Sequence, residues 1–326
     1  MERLPDDLLE RINAFRESRL LLTAVELDLF TALDEPVSAA AVAARLGTDA
    51  RATEMLLNAL TAIGMLTKRD GLYQNTETAA RCLSGHSRGS VRTALMHVAH
   101  LWKSWSRLTD CVRRGASPQA RRRRSKAETE AFIAMMHYNA EERAPMVVEA
   151  VGVQGVRRML DLGGGSGAYA IAFAQASPEL EVDILDQPAV LRLARKHIRA
   201  AGVGERVKTC PGDLHQPAYG DNYDLVFISA ICHMLGPDEN RAMLRKSFEA
   251  LKPGGRIAIQ DFILEPDKVS PRAAALFSLN MLVNTRAGAS YSEPEYATWL
   301  QEAGFREIRR VRLHGPTGLM LGVRAA

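Results

Sequence analysis

The sequence predicts an α/β protein: a doubly wound, Rossmann-like parallel sheet preceded by a mainly helical, winged-helix-like domain. Three observations carry this. From Val156 onward, short apolar segments ("RRMLDL", "LEVDILD", "VKTCPGD", "YDLVFISA", "RIAIQDFI") alternate with helical patterns, as parallel strands with crossover helices do. A glycine-rich turn, Gly163, Gly164, Gly165 and Gly167, separates the first such strand from the first such helix. The first 110 or so residues carry helical spacing followed by a hairpin signal.

In chain order, "RLLLTAVELDLFTAL" has apolar residues at helical spacing. Pro36 breaks it, and Ser38 is a candidate N-cap for a helix ending near Gly47. Asp49 caps a third helix that closes near Gly64, and Asp70-Gly71 marks a hairpin turn. Short helices followed by a hairpin make the winged-helix arrangement. Residues 111–150 are expected to be connecting helices, and 151–326 the sheet domain.

Composition bounds the function. Apolar residues make up 47% and charged residues 25%, as in a soluble globular protein. No apolar run is long enough to span a bilayer, and the acidic, amphipathic start is unlike a secretory signal. Cys82, Cys111, Cys210 and Cys232 lie far apart with no metal-ligand spacing, so neither zinc nor disulfides are expected, and a cytoplasmic setting is. The basic run Arg121–Arg124 reads as a solvated loop within a formal charge of only +4. A regulator reading DNA through its third helix is the rival of a different class. That helix offers Arg51, Glu54 and Asn58 among apolar residues, a face suited to protein rather than phosphate. No nucleic-acid, membrane or metal partner is expected.

A strand, glycine turn and helix N-terminus present free backbone N–H groups to a polar ligand. Gly163, Gly165 and Ala168 satisfy G-x-G-x-x-A, and Asp186 lies about 20 residues on, so nicotinamide dinucleotides and adenosyl ligands are both admissible. Asp161 at the strand end would repel a pyrophosphate and attract an ammonium group. "PGDLHQP" places Gly212 and Asp213 to meet an adenine edge, and "LKPGGRIAI" reads as a helix end, a turn and the next strand.

With "DLGGGSG", "DQP", "GDLHQP", "ISAICHMLGPDEN", "LKPGG" and "LFSLNMLVNTRAGASYSEPEYATWLQEAGF" in this order, the chain resembles class I S-adenosylmethionine-dependent methyltransferases. Within them it is similar to the two-domain small-molecule O-methyltransferases that include acetylserotonin and caffeate O-methyltransferases. The resemblance spans nearly the whole chain and implies S-adenosylmethionine as cofactor, a small, aromatic, hydroxylated acceptor and a homodimer. It implies that Gly163 and Gly165 approach the methionine moiety, that Asp161 supports its amino group, and that Asp186, with Gln187, takes the ribose. Asp213 and Leu214 would meet the adenine, and Ser229 would flank the sulfonium. It implies His233 as general base and Asp261 as its orienting carboxylate. The family's second carboxylate falls on Ser290 and is missing. Phe132, Met135, Met136, Asn280 and Met281 are implied as acceptor-site residues. Methylation of carbon or nitrogen on the same fold, which would not need His233, is the near alternative.

Overall fold

The structure, a computed structural model, describes residues 3–118 and 124–326, so Arg121–Arg123 of the basic run lie outside the described residues. The chain forms two compact units, residues 1–102 with 130–135, and residues 103–129 with 136–326. The segment 111–150 is thus divided between them.

In the first unit, α1 (Asp6–Asn13) and α2 (Phe15–Glu26) lead into a 3-10 turn, Leu29–Leu33. The apolar stretch expected as one helix therefore breaks. Asp28 sits in the left-handed region at φ 56°, and its carboxylate accepts the Thr31 hydroxyl at 2.5 Å and pairs with Arg92 at 2.8 Å. The tighter winding lets Leu29, Phe30 and Leu33 all turn inward. β1 (Val37–Ser38) precedes α3 (Ala39–Leu46), whose N-cap Ser38 accepts from the Ala41 amide. Asp49 does the same for α4 (Ala50–Ala62) through the Ala52 amide. β2 (Leu66–Arg69) and β3 (Leu72–Asn75) form the hairpin, with Asp70 and Gly71 both at positive φ as a two-residue turn requires. The sheet order is β1-β3-β2, and α5 (Glu77–Leu83) and α6 (Arg92–Trp105) follow. On α4, the Asn58 side-chain oxygen accepts from Lys68 and Tyr73, so its acceptor is turned to the hairpin. α1 buries none of its residues; Leu8, Leu9 and Ile12 on it, and Phe15 just after, are exposed.

Next come α7 (Leu108–Arg114) and α8 (Lys126–Val151), the latter opened by a capping box of Ser125 and Glu128. The second unit is built on β4 (Arg158–Leu162), α9 (Ala168–Ala176), β5 (Glu181–Asp186), α10 (Pro188–Ala200), β6 (Val207–Pro211) and β7 (Tyr223–Ser229). Then follow α11 (Pro237–Ala250), β8 (Leu251–Asp261), α12 (Arg272–Asn284), α13 (Glu293–Ala303), β9 (Arg306–Arg312) and β10 (Gly318–Val323). The sheet runs β6-β5-β4-β7-β8-β10-β9. β4 to β8 are mutually parallel, while β9 and β10 are antiparallel additions that the alternating pattern did not predict. The Lys252–Gly255 segment is a second difference. Instead of a turn before the strand, it lies within β8, and the register to β7 jumps from Leu251 opposite Tyr223 to Arg256 opposite Leu225.

One apolar layer joins Val147 of α8, Ala170 and Phe173 of α9, and Leu191 and Ile198 of α10 to one face of the sheet. Met243 and Leu244 of α11 and Tyr296, Trp299 and Leu300 of α13 cover the other. Strand order reverses between β4 and β7, so the crevice beyond their C-terminal ends is where a doubly wound sheet places a ligand. Among the described residues, no helix is long and apolar enough to cross a membrane.

Candidate active site

The strand register brings the candidate residues to that one edge. Leu162 lies opposite Leu185 and Ile228, Ser229 opposite Gln260, and Asp186 opposite Pro211. Asp161, Asp186, Ser229 and Asp261 therefore cluster at the C-terminal ends of β4, β5, β7 and β8.

The glycine loop is held by its own backbone: the Gly163 amide donates to the Leu185 carbonyl and the Gly167 amide to that of Gly164, both at 2.8 Å. Gly163 sits at φ 71°, and a Cβ there would stand 2.5 Å from Cδ1 of Ile231. Glycine is required twice over, by conformation and by space. Asp161 is buried beneath this loop with no hydrogen-bond partner for either carboxylate oxygen. Among the described residues it is the one carboxylate left so. Burial and the nearby Asp186 charge push its carboxyl up to about 7, against a weaker pull from the Ala170 amide, which lies outside hydrogen-bond geometry. A buried, unpaired carboxylate costs several kcal/mol unless a cation meets it. The pair of features, a glycine cradle with an orphan acceptor below it, fits the ammonium end of S-adenosylmethionine.

Asp186 serves the loop itself. Its Oδ2 accepts the Gly165 amide at 2.9 Å and its Oδ1 the Gln187 amide at 2.6 Å, and burial raises its carboxyl above the ordinary range. Each oxygen keeps a second lone pair free of these amides. Gln187 is the exposed N-cap residue of α10. Asp213 is exposed beyond β6, and its carboxylate accepts the His215 amide at 2.8 Å, closing a turn. The half-buried Leu214 gives its carbonyl to Tyr219 and to Lys246, both at 2.6 Å. Ser229 bonds the Gln260 side-chain oxygen, which also accepts the Tyr169 hydroxyl at 3.2 Å. The other end of Gln260 donates to Thr317 at 2.8 Å. The Ser229 hydroxyl is thus tied into a buried network.

Beyond β7 the backbone turns sharply: Ala230 takes φ 57°, costly for a residue with a Cβ. The 3-10 turn Cys232–Met234 follows. Asn240 of α11 pins it, donating to the Cys232 and Leu235 carbonyls at 3.0 and 3.3 Å. His233 is thereby fixed with its Nδ1 2.6 Å from Asp261 Oδ1, both side chains buried. Nε2 has no hydrogen-bond partner among the described residues. Asp261 Oδ1 also accepts the Phe262 amide at 2.8 Å, and Oδ2 accepts the His233 amide and the Tyr296 hydroxyl, each at 3.1 Å. Ser290 does not reach the imidazole; its hydroxyl donates to the Ala274 carbonyl at 2.8 Å. The Phe262 and Phe277 rings stack 3.9 Å apart, and Phe277 meets the imidazole edge-on at 4.7 Å.

Among the expected acceptor-site residues, Phe132 and Met135 belong to the first unit, where Phe132 meets His97 edge-on at 5.2 Å. Met136, Asn280 and the buried Met281 belong to the second. The Asn280 side-chain oxygen accepts the Trp105 indole and the Asn284 amide, both at 3.0 Å. Tyr296, Phe262, Phe277 and Asn240 went unpredicted. "QDF" places Phe262 beside the predicted aspartate, the one local signal for it, while Tyr296 and Asn240 are indistinguishable from helix core and cap residues in sequence.

A family model for the O-methyltransferase domain matches residues 107–306, and one for the O-methyltransferase dimerisation domain matches residues 9–85. The 3-hydroxy-5-methyl-1-naphthoate 3-O-methyltransferase of Streptomyces sahachiroi is 34% identical, over 95% of this chain and 92% of its own. The L-tyrosine C(3)-methyltransferase of Streptomyces lavendulae is 30% identical, over 91% and 85%. A solved structure of PigF with SAH superposes with a TM-score of 0.90 at 29% identity, covering 98% of this chain and all of that one.

Proposed function

The chain belongs to the S-adenosylmethionine-dependent O-methyltransferases that carry a dimerisation domain, and on that premise we propose that it methylates a hydroxyl of a small aromatic molecule, with His233 as general base. The observation that carries this is the buried His233–Asp261 pair, with Nε2 open, on the same sheet edge as the unpartnered Asp161.

Bound S-adenosylmethionine supplies an electrophilic methyl group, and the chain supplies orientation and a proton acceptor. Asp161 meets the ligand's ammonium, the Gly163–Gly165 backbone lets it approach, and Asp186 with Gln187 takes the ribose. Asp213 and Leu214 border the adenine, and Ser229, held by Gln260, borders the reacting end. Asp261 accepts Nδ1–H and so leaves Nε2 as the imidazole's acceptor. Nε2 would hold the proton that the hydroxyl gives up when its oxygen takes the methyl group and the S–CH3 bond breaks, the electron pair staying on the departing neutral thioether, and the imidazolium would then release that proton to solvent. A phenol near pKa 10 is mostly protonated at neutral pH, which is why a base helps. The stacked Phe262 and Phe277 support an aromatic acceptor, since flat rings pack on them edge-on or offset. Met136, Asn280 and Met281 of the second unit complete the proposed acceptor set there.

The exposed apolar face of α1 supports a homodimer, and the unpaired thiols support a cytoplasmic setting. The test is calorimetric titration with S-adenosylhomocysteine, beside an acceptor panel containing N-acetylserotonin, a hydroxynaphthoate and L-tyrosine, with a His233→Ala control. O-methyl products that vanish in the variant are expected; ring-methylated products that persist in it would favour carbon methylation, the activity named for the Streptomyces lavendulae relative.

A further inference from the structure

The resemblance led to an expectation of two carboxylates around the base, and the chain has one. The group nearest to filling that deficit is a phenol. Tyr296, fully buried on α13, donates its hydroxyl to Asp261 Oδ2 at 3.1 Å. We propose that Tyr296 is a positioning residue for the methyl-transfer base, its hydroxyl fixing the Asp261 carboxylate against His233 in place of the carboxylate missing at Ser290. This rests on the reading of His233 as base.

The geometry leaves Asp261 little freedom. Oδ1 receives His233 Nδ1 and the Phe262 amide, and Oδ2 receives the His233 amide and the phenol. Without the phenol, Oδ2 keeps only a 3.1 Å backbone contact, and the carboxylate can swing about its Cβ–Cγ bond. Tyr296 itself cannot swing. Its ring meets Tyr291 and Trp299 edge-on at 6.2 and 5.7 Å, and α13 is fixed by the Ser292–Glu295 capping box. Phenylalanine would keep all of those ring contacts and lose only the hydroxyl, which also meets the Cys232 thiol.

The titratable groups that face the pair are Asp261 from β8, Tyr296 from α13, Tyr291 from the segment before it, and Cys232 from the same turn. Burial pushes the Tyr296 phenol and the Cys232 thiol well above their ordinary values, and the Tyr291 phenol up to about 12. All three are therefore neutral donors in the working range. Donation from Tyr296 draws charge toward Oδ2 and away from the oxygen that holds Nδ1–H. Removing it leaves Oδ1 a stronger acceptor, which favours imidazolium and withholds the base form until higher pH.

The test uses the full chain with S-adenosylhomocysteine bound and 15N-labelled histidines, so it needs no acceptor. His233→Gln assigns the signal. In Tyr296→Phe the His233 titration midpoint should rise by roughly half to one pH unit, the share of one charged hydrogen bond expected to differ between the two protonation states. The other histidines should stay put. With a turned-over acceptor, the acid limb of kcat should rise equally at unchanged KM. An unmoved midpoint in a folded Tyr296→Phe overturns the proposal. Should that variant not fold, 3-fluorotyrosine at position 296, a stronger donor of nearly the same shape, should move the midpoint down; no movement again overturns it. A His233→Ala enzyme that retains its rate removes the base reading and this proposal together, whereas a dead His233→Ala with an unmoved midpoint removes this proposal alone.

Discussion

Replacing Asp161 by asparagine should make the ligand-free protein more stable and its cofactor binding worse. The carboxyl rises from 3.8 to about 7 on folding because both oxygens are buried without partners. Between those values the folded chain holds a proton that the unfolded chain has lost, so stability falls as pH rises toward 7 and stays at its reduced level above it. A rise of roughly 3 pH units at 1.36 kcal/mol each is roughly 4 kcal/mol at pH 8. An unpartnered buried amide still costs about 1–3 kcal/mol, so the net gain of Asp161→Asn is about 2 kcal/mol, or about 4–8 °C in Tm. At pH 5.5, where the native carboxyl is mostly protonated, the difference should shrink toward nothing.

The bound state runs the other way. Loss of a charged hydrogen bond to the ligand ammonium should weaken S-adenosylhomocysteine by about 10- to 100-fold at pH 8. In the unsubstituted protein, binding below pH 7 must first expel the proton, so affinity should fall by about tenfold per unit of acidification. Scanning calorimetry at both pH values and titration calorimetry across the range read all of this. A variant that melts lower at pH 8, or that binds as tightly as the parent, would refute the account of Asp161 as a strained acceptor kept for a cation.

Three further outcomes follow from the same geometry. His233→Ala should lower kcat by about 10²- to 10⁴-fold, the range for removal of a general base, with S-adenosylhomocysteine affinity unchanged by calorimetry. Gly163→Ala places a Cβ 2.5 Å from Ile231 at φ 71°; titration should show affinity lost more than tenfold, and a second change, Ile231→Ala, should restore part of it by relieving the clash but not the backbone strain. Paired Ile12→Asp and Phe15→Asp substitutions, each at a residue 54% exposed, should shift light-scattering mass from dimer to monomer; an unchanged mass would show that this face is not in the interface.

Much of the fold was legible because its signals are local. Ser38 and Asp49 announce helix starts by accepting a nearby amide, and Asp70-Gly71 announces a hairpin by the positive φ that its turn demands. Alternating apolar strands announced the five parallel ones. The failures are non-local. Asp28 ends α2 through Thr31 and an Arg92 found 64 residues later, and no window on the helix contains that partner. β9 is dense in arginine, which hides its strand character: Arg310 is buried only because Glu265 and Glu293 reach it at 3.0 and 3.3 Å. Tyr296 looked like core because by spacing it is core; only the fold reveals that its hydroxyl ends on Asp261.

The pattern of satisfied and unsatisfied polar groups separates the residues that the sequence had treated alike. Asp213, Asp186 and Asp161 all lie at or just beyond the C-terminal end of a strand and all suited a ligand. Asp213 is exposed and closes its own turn, which a structural residue does equally well. Asp186 spends one lone pair of each oxygen on the loop and keeps the others. Asp161 spends nothing, and a folded chain keeps a buried acceptor idle, at a cost of several kcal/mol, only if a ligand completes it. By the same measure Ser229 and Gln260, whose hydrogen bonds close among themselves and with Tyr169 and Thr317, form the rigid wall of the site rather than its grip. The groups left with unspent capacity, Asp161, the outer lone pairs of Asp186 and Nε2 of His233, run from β5 across β4 to the turn after β7. Under the proposed function, a ligand would be laid along that path across the switch point.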